Sequence, residues 1–142
     1  MSQESIYNNI LLLSRNKLFY TKFHLKDTFQ NRINLIFIHI SFLLNKSKIN
    51  NTKEFKLFCQ KLFDLVFKNI EINMREIGYS DTSVNKNMKF ITKSFYDILF
   101  KCENYANMNN TQKKLFLSKF LILQNTDKTF DNSDLMKYFE KY

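Results

Sequence analysis

The chain has 142 residues and a formal net charge of +9, from 22 Lys and Arg against 13 Asp and Glu. Apolar residues make up 44% and aromatic residues 16%, which is enough for a core and excludes a globally disordered chain. Proline is absent and glycine occurs once, so the residues that sheets and hairpins use in their turns are missing. We predict an all-α fold, a single compact domain of about six to seven helices over residues 1–142.

The N-terminal half predicts four helices. The first covers residues 4–16 with Ser2 as its cap, and the second covers residues 16–24. The stretch LKDTFQNR reads as a turn into a third helix that ends near residue 45, with Asp27 or Thr28 as its cap. A polar loop at residues 46–51 then leads to a fourth helix over residues 53–77, started by Thr52.

The third and fourth helices are apolar on nearly all sides. In the third, Ile36 and Ile40 belong to a stripe at helical spacing while further apolar residues fill much of the other side. In the fourth, Leu62 and Val66 lie on such a stripe, with several phenylalanines beside it. A helix of this type is central, so we expect these two helices to be the most buried.

A tight corner follows at Gly78, the only glycine. A residue without Cβ enters the left-handed conformation that ends many helices, so we predict a positive φ there. Four residues suited to capping the next helix come directly after it, namely Ser80, Asp81, Thr82 and Ser83. On this interpretation Gly78 and Asp81 need do no more than build the corner.

The fifth helix, predicted over residues 83–106, has two unlike faces. At about 100° per residue, its apolar side chains cluster in a narrow arc, and Lys86, Lys89 and Lys93 lie opposite. Tyr96 and Phe100 fall beside these lysines. A basic face with interleaved aromatics suits an RNA backbone or an amphipathic client helix. The alternative is that both rings pack on a neighbouring helix while the lysines are merely solvated.

The C-terminal part predicts a sixth helix over residues 111–124 and a short last one over residues 132–141, capped by Asp131 or Ser133. The sequence contains little evidence of a catalytic or metal-binding site. Cys59, Cys102, His24 and His39 show no zinc-type spacing, and both cysteines lie on apolar stripes as inert thiols do. Glycine-rich phosphate loops and nucleophile motifs are absent from the sequence, so we predict no enzyme activity, metal or cofactor.

The longest apolar run, LIFIHISFLL at residues 35–44, is too short to cross a bilayer. The N-terminus MSQESIYNNI has an early acid and no basic region, unlike a secretion signal or transit peptide. We therefore expect a cytoplasmic protein of bacterial type, with peripheral binding at the inner face of the plasma membrane as the alternative. The positive charge suggests RNA or an anionic membrane surface, although coding bias in an AT-rich genome would also raise the lysine content.

Two blocks of sequence resemble the ubiquinol–cytochrome c chaperone family. The first block contains Phe19-Tyr20, Asp27-Thr28, Arg32 and His39. The second runs REIGYSDTSVNKNMKFITKSFY, with Arg75-Glu76, Gly78, Asp81, Lys86 and Phe95-Tyr96. Together they cover roughly residues 7–100. The chain departs from the family where Phe23-His24-Leu25-Lys26 replaces a frequent Gly-x-Pro, and where Ser80 and Asn85 replace usual glycines.

The resemblance implies an assembly chaperone for respiratory complex III that needs no cofactor. It implies binding of newly made cytochrome b, or another complex III subunit, near the membrane or ribosome, together with a partner assembly factor in mitochondrial members. The segments that it marks for partner binding, with the basic helix face added, contain Phe19, Tyr20, Arg75, Glu76, Asp81, Lys86, Lys89, Lys93, Phe95, Tyr96 and Phe100. A basic ribosome- or RNA-binding module, and a helical protein-interaction domain without a respiratory role, remain as alternatives.

Overall fold

Helices account for the regular structure of the described chain, with α3 at the centre. The structure is a computed structural model, described here for residues 2–46, 52–124 and 133–140. Those residues form six longer helices, one single-turn helix and a short 3-10 segment, and they contain no strand. In order these are α1 (Gln3–Ser14), α2 (Leu18–Thr21), α3 (Phe29–Lys46), α4 (Lys53–Ile77), α5 (Asp81–Glu103), the 3-10 segment Tyr105–Asn107, α6 (Asn110–Phe120) and α7 (Ser133–Glu140). The all-α prediction is confirmed.

Helix α3 is buried over most of its length. Every residue from Ile33 to Phe42 is buried, including the polar Asn34, His39 and Ser41. It packs against α1 on one side and α5 on another, so there is no solvent side for its central turns. The prediction that α3 is a core helix is confirmed.

Helix α4 is less buried than the sequence predicts. Only Leu62, Val66, Ile70 and Met74 are buried, and they form a single stripe at helical spacing. The flanking phenylalanines are half-buried, because α4 packs on α1 and α5 from one side and leaves its other side to solvent. The prediction that α4 ranks with α3 is therefore wrong, although Leu62 and Val66 are buried as expected.

The predicted caps form where their residues are described. Ser2 and Thr52 accept hydrogen bonds from the amides of Ser5 and Phe55. At the start of α3, the Thr28 hydroxyl accepts from the Asn31 amide at 3.1 Å, whereas the other candidate, Asp27, pairs with Arg32. Of the loop predicted at residues 46–51, Lys46 is the last residue of α3, and residues 47–51 lie outside the described part of the chain. Of the caps predicted for α7, Asp131 lies outside it as well, and Ser133 is already the first residue of the helix.

Two helices are shorter than predicted because their ends pair with each other. After α2, His24 takes a φ of 59° and Leu25 forms an antiparallel bridge with Leu123. The Lys26 amide donates to the Ile122 carbonyl at 2.9 Å, and the Gln124 amide donates to the His24 carbonyl at 2.7 Å. The extended backbone required for these bonds ends α2 at Thr21 and α6 at Phe120.

Candidate partner-binding surface

The corner between α4 and α5 has the geometry predicted for it. Gly78 has a φ of 108°, and its amide donates to the Arg75 carbonyl while the Tyr79 amide donates to the Met74 carbonyl. These two bonds form a Schellman motif at the end of α4. Ser80 then caps α5 by accepting from the Ser83 amide, so α5 begins at Asp81, two residues earlier than predicted.

Charged residues of the corner bind one another across it. The Arg75 guanidinium forms an ion pair with Asp81 and a second one with Glu71 at 3.1 Å. The hydrogen bonds that Arg75 donates to Asp81 and, second in effect, to Glu71 raise the pKa of Arg75. Two of the residues that the family resemblance singles out, Arg75 and Asp81, therefore join the end of α4 to the start of α5. This arrangement agrees with the interpretation that Asp81 helps to build the corner.

Glu76 lies elsewhere, on the rim of a cleft between α1, α3 and α4. The cleft has a volume of about 270 Å³ and is floored by Ile33, Ile36 and Ile70. Arg15 and Arg32 also line it, and Arg32 is held by a bidentate pair of bonds to Asp27 at 2.7 and 3.0 Å. Glu76 is therefore separated by its position from the lysines of α5 with which it was grouped in the sequence.

The two Phe-Tyr pairs differ in exposure, because both phenylalanines are buried but only the second tyrosine is exposed. Phe19 and Phe95 are 1% exposed, so they stabilise the fold and present no surface to a partner. Phe19 packs against His39 and Tyr138, and Phe95 packs against phenylalanines of α3 and α4. Tyr20 is half-buried, and burial raises the pKa of its phenol while Arg32 lowers it in part. Tyr96 is 55% exposed.

The outer side of α5 carries six exposed residues of two kinds. Lys86, Lys89 and Lys93 are exposed as predicted, and Tyr96 and Phe100 lie beside them with no neighbouring helix over their rings. The interpretation that these two rings pack on another helix is therefore wrong. Phe90, 60% exposed, lies on the same side and was missed, although the same angular count would have found it. We call this surface the basic-aromatic face: Lys86, Lys89, Phe90, Lys93, Tyr96 and Phe100.

An open cleft borders the basic-aromatic face where α5 meets the end of α6. It has a volume of about 670 Å³, and Phe90, Lys93 and Ile122 are among its lining residues. Ile122 is 54% exposed, so the apolar surface continues from α5 across the cleft. The sequence did not indicate this extension, because Ile122 was predicted to lie inside α6.

The described part of the chain contains no cluster of metal-ligating side chains, and its two cysteines differ in burial. No three His, Cys, Asp or Glu side chains lie close enough together to hold a metal ion among those residues. Cys102 is buried, and burial raises the pKa of its thiol to about 12, as expected for an inert core cysteine. Cys59 is only half-buried, and burial raises the pKa of its thiol as well.

A family model described as ubiquinol-cytochrome C chaperone matches residues 21–121 of this chain. The chain belongs to the ubiquinol–cytochrome c chaperone family. The matched range contains all of α3, α4, α5 and α6, and so includes the corner and the basic-aromatic face. It begins just after Phe19-Tyr20 and extends further toward the C-terminus than the two sequence blocks suggested. No curated protein and no solved structure matches the chain.

Membership of this chaperone family indicates a protein partner. Among the described residues, the basic-aromatic face and the cleft beside Glu76 are two surfaces that contain residues singled out in the sequence. Within the described residues, no helix has the length and apolar content needed to cross a membrane.

Proposed function

We propose that this protein is an assembly chaperone for respiratory complex III, the cytochrome b–c1 complex, and that it binds newly made cytochrome b near the membrane or the ribosome. The family match over residues 21–121 carries this proposal. The location that goes with it is the cytoplasm, with peripheral binding at the inner face of the plasma membrane. A partner assembly factor is a further component that the family resemblance suggests.

Deletion of the gene tests the chaperone proposal directly. We expect assembled complex III to fall on native gels while other respiratory complexes stay near their normal amounts. Isolation of the protein from native membranes, followed by identification of the proteins bound to it, should recover cytochrome b or another complex III subunit. Normal complex III in the deletion strain, with no such protein recovered, would exclude a respiratory role and favour the third hypothesis, a helical interaction domain.

Ribosome or RNA binding is the second candidate function, and the lysines of the basic-aromatic face favour it. Lys86, Lys89 and Lys93 are exposed and form no ion pair with any described residue. A basic chaperone can also dock on a ribosome while it holds its client, so the two functions are compatible.

Simultaneous charge reversal of Lys86, Lys89 and Lys93 shows whether this face is used. Solvated lysines contribute within roughly 0.5 kcal/mol each to stability, so the triple Lys→Glu variant should remain folded. If the folded variant no longer holds cytochrome b or ribosomes, the basic-aromatic face is a binding site. If complex III assembles normally in its presence, the face is not used, and the chaperone proposal then requires another surface.

A further inference from the structure

The basic-aromatic face has a positive charge that its own surroundings leave uncompensated. Asp97, one turn after Lys93 on the same side of α5, is already bound by Lys119 at 3.1 Å and Lys101 at 3.7 Å. None of the three lysines of the face pairs with an acid among the described residues. An anionic ligand would therefore meet three lysines that no described acid already pairs with.

Three aromatic rings project from the same surface. Phe90, Tyr96 and Phe100 are 60%, 55% and 64% exposed, which is unusual for rings on a helix whose opposite side is fully packed. From Lys86 to Phe100 the face spans roughly 21 Å along the helix, at 1.5 Å per residue. Lysines predominate toward the N-terminal end of this length and rings toward its C-terminal end, so a ligand that matches the whole face offers anionic and apolar groups together.

Several kinds of ligand combine anionic and apolar groups, and the shape of the face distinguishes between them. Only Phe90 and Lys93 of the face line the neighbouring cleft. The other four residues lie on the convex outer side of a single helix, which forms no groove for a client helix. Single-stranded RNA usually follows a basic groove with stacking rings in it, which a convex face does not provide. A phospholipid surface fits a convex face, because phosphates bind lysines while aromatic rings enter the headgroup region.

We propose that the basic-aromatic face binds the surface of an anionic phospholipid bilayer. Lys86, Lys89 and Lys93 contact lipid phosphates, and Phe90, Tyr96 and Phe100 enter between the headgroups. Membrane binding extends the proposed function and rests on it, because that function places the protein beside a client that is itself a membrane protein. Lipid binding by the purified protein can nevertheless be measured without complex III, so failure of one proposal is distinguishable from failure of the other.

Sedimentation with vesicles tests the lysines. The purified full chain should bind phosphatidylcholine–phosphatidylglycerol vesicles and should bind pure phosphatidylcholine vesicles far more weakly. Changing Lys86, Lys89 and Lys93 together to Gln should lower the affinity about a hundredfold, at about 1 kcal/mol per lysine near an anionic surface. The matched control changes Lys53, Lys61 and Lys68 to Gln, three exposed lysines of α4, and should keep an affinity close to that of the native protein.

A single tryptophan reports on the rings, because the chain contains none. In the Tyr96→Trp and Phe100→Trp variants, fluorescence emission should shift to the blue when anionic vesicles are added. Leu57→Trp, at a position on α4 that is 57% exposed, should show no shift. These single changes at exposed positions should leave the fold intact. They therefore test the face even if the triple lysine variants fail to fold.

Three results would overturn the proposal. One is that the native protein fails to bind anionic vesicles. Another is that the α4 control loses as much affinity as the variant of the basic-aromatic face. The last is that a single-stranded RNA such as poly-U binds more tightly than vesicles and loses this binding with the lysines of the face, which would assign the face to RNA.

Discussion

Asn31 is a fully buried polar side chain whose three hydrogen bonds hold two distant segments together. Its amide nitrogen donates to the carbonyls of Lys26 and Ile122 at 2.7 and 2.8 Å, and its amide oxygen accepts from the Ile122 amide at 2.9 Å. Asn34, one turn on, donates to the Phe120 carbonyl at 2.7 Å. Buried polar groups are tolerated when each has a partner, and here the partners are backbone groups of Lys26, before α3, and of Phe120 and Ile122, at the end of α6 and just after it.

Asn31→Ala should therefore destabilise the protein by about 1–3 kcal/mol, because it removes three hydrogen bonds and leaves the Ile122 amide without its partner. Urea unfolding measures the loss. Asn8→Ala, at an exposed position on α1, is the matched control and should stay within about 0.5 kcal/mol of the native protein. Equal stability of the two variants would mean that the Asn31 bonds contribute nothing net.

Gly78 is the other residue whose conformation decides a local structure. Its φ is 108°, yet no atom lies within 4 Å of where a Cβ would be. The cost of a substitution there is therefore strain in the backbone, with no contribution from a clash with neighbours.

Gly78→Ala should cost about 1–2 kcal/mol, and Gly78→Val more, because a β-branched residue is least tolerant of the left-handed region. Gly78→Asn should cost less than either, since asparagine adopts this conformation more readily. Denaturant unfolding of the three variants gives the order. If Asn is as harmful as Val, an interaction other than backbone strain controls the corner.

At the scale of elements, α4 shows how a long apolar helix can still lie at the edge of a fold. Its buried stripe includes Leu62 at 0% exposure, while Leu57 on the same helix is 57% exposed. Counting apolar residues around the helix overestimated its burial, because half-buried phenylalanines and exposed leucines contribute to the count as strongly as core residues do.

Leu62→Ala should cost about 2–5 kcal/mol, as expected when a fully buried leucine leaves a cavity. Leu57→Ala removes the same atoms from an exposed position and should change stability by less than about 0.5 kcal/mol. Thermal or urea unfolding of both variants checks the edge position of α4. Similar losses at the two positions would indicate that Leu57 is covered in solution.

At the scale of the whole molecule, His39 joins α3 to the C-terminal helix α7. Its Nδ1 lies 2.7 Å from the Leu35 carbonyl, which can only accept, so Nδ1 carries the proton. In the neutral ring Nε2 then accepts from the Tyr138 hydroxyl at 2.8 Å. Burial lowers the pKa of His39 below its usual 6.5, with the Leu35 carbonyl opposing this in part.

Stability should therefore depend on pH through His39. The unfolded chain takes up a proton near pH 6.5, whereas the folded ring resists it, so the stabilisation is present above pH 6.5 and is lost as the pH falls toward the lower folded pKa. The slope can reach about 1.4 kcal/mol per pH unit. Unfolding measured from pH 7.5 to 5 should show a smaller slope in His39→Gln than in the native protein, and parallel slopes would contradict this role.

Local interactions allowed the sequence to determine the helices, the caps at Ser2 and Thr52, and the left-handed Gly78, because each depends on residues within a few positions of one another. Family membership was likewise readable from the sequence blocks, and the match over residues 21–121 agrees with it. The sequence determined only in part whether the outer face of α5 is exposed. The angular count grouped the lysines with Tyr96 and Phe100, but whether a neighbour covers them is a question of packing.

Tertiary structure alone decided the contacts between distant parts of the chain. The Asn31 bonds to Ile122 span 91 positions, and the bond between His39 and Tyr138 spans 99. No periodicity signals such pairs, because a buried asparagine or histidine looks in the sequence like any polar residue on an apolar helix. The backbone pairing of Leu25 with Leu123 ended α2 and α6 early. It also brought Ile122 beside Phe90, since the backbone bonds formed with residues 24–26 outweigh the helical preference of residues 121–124.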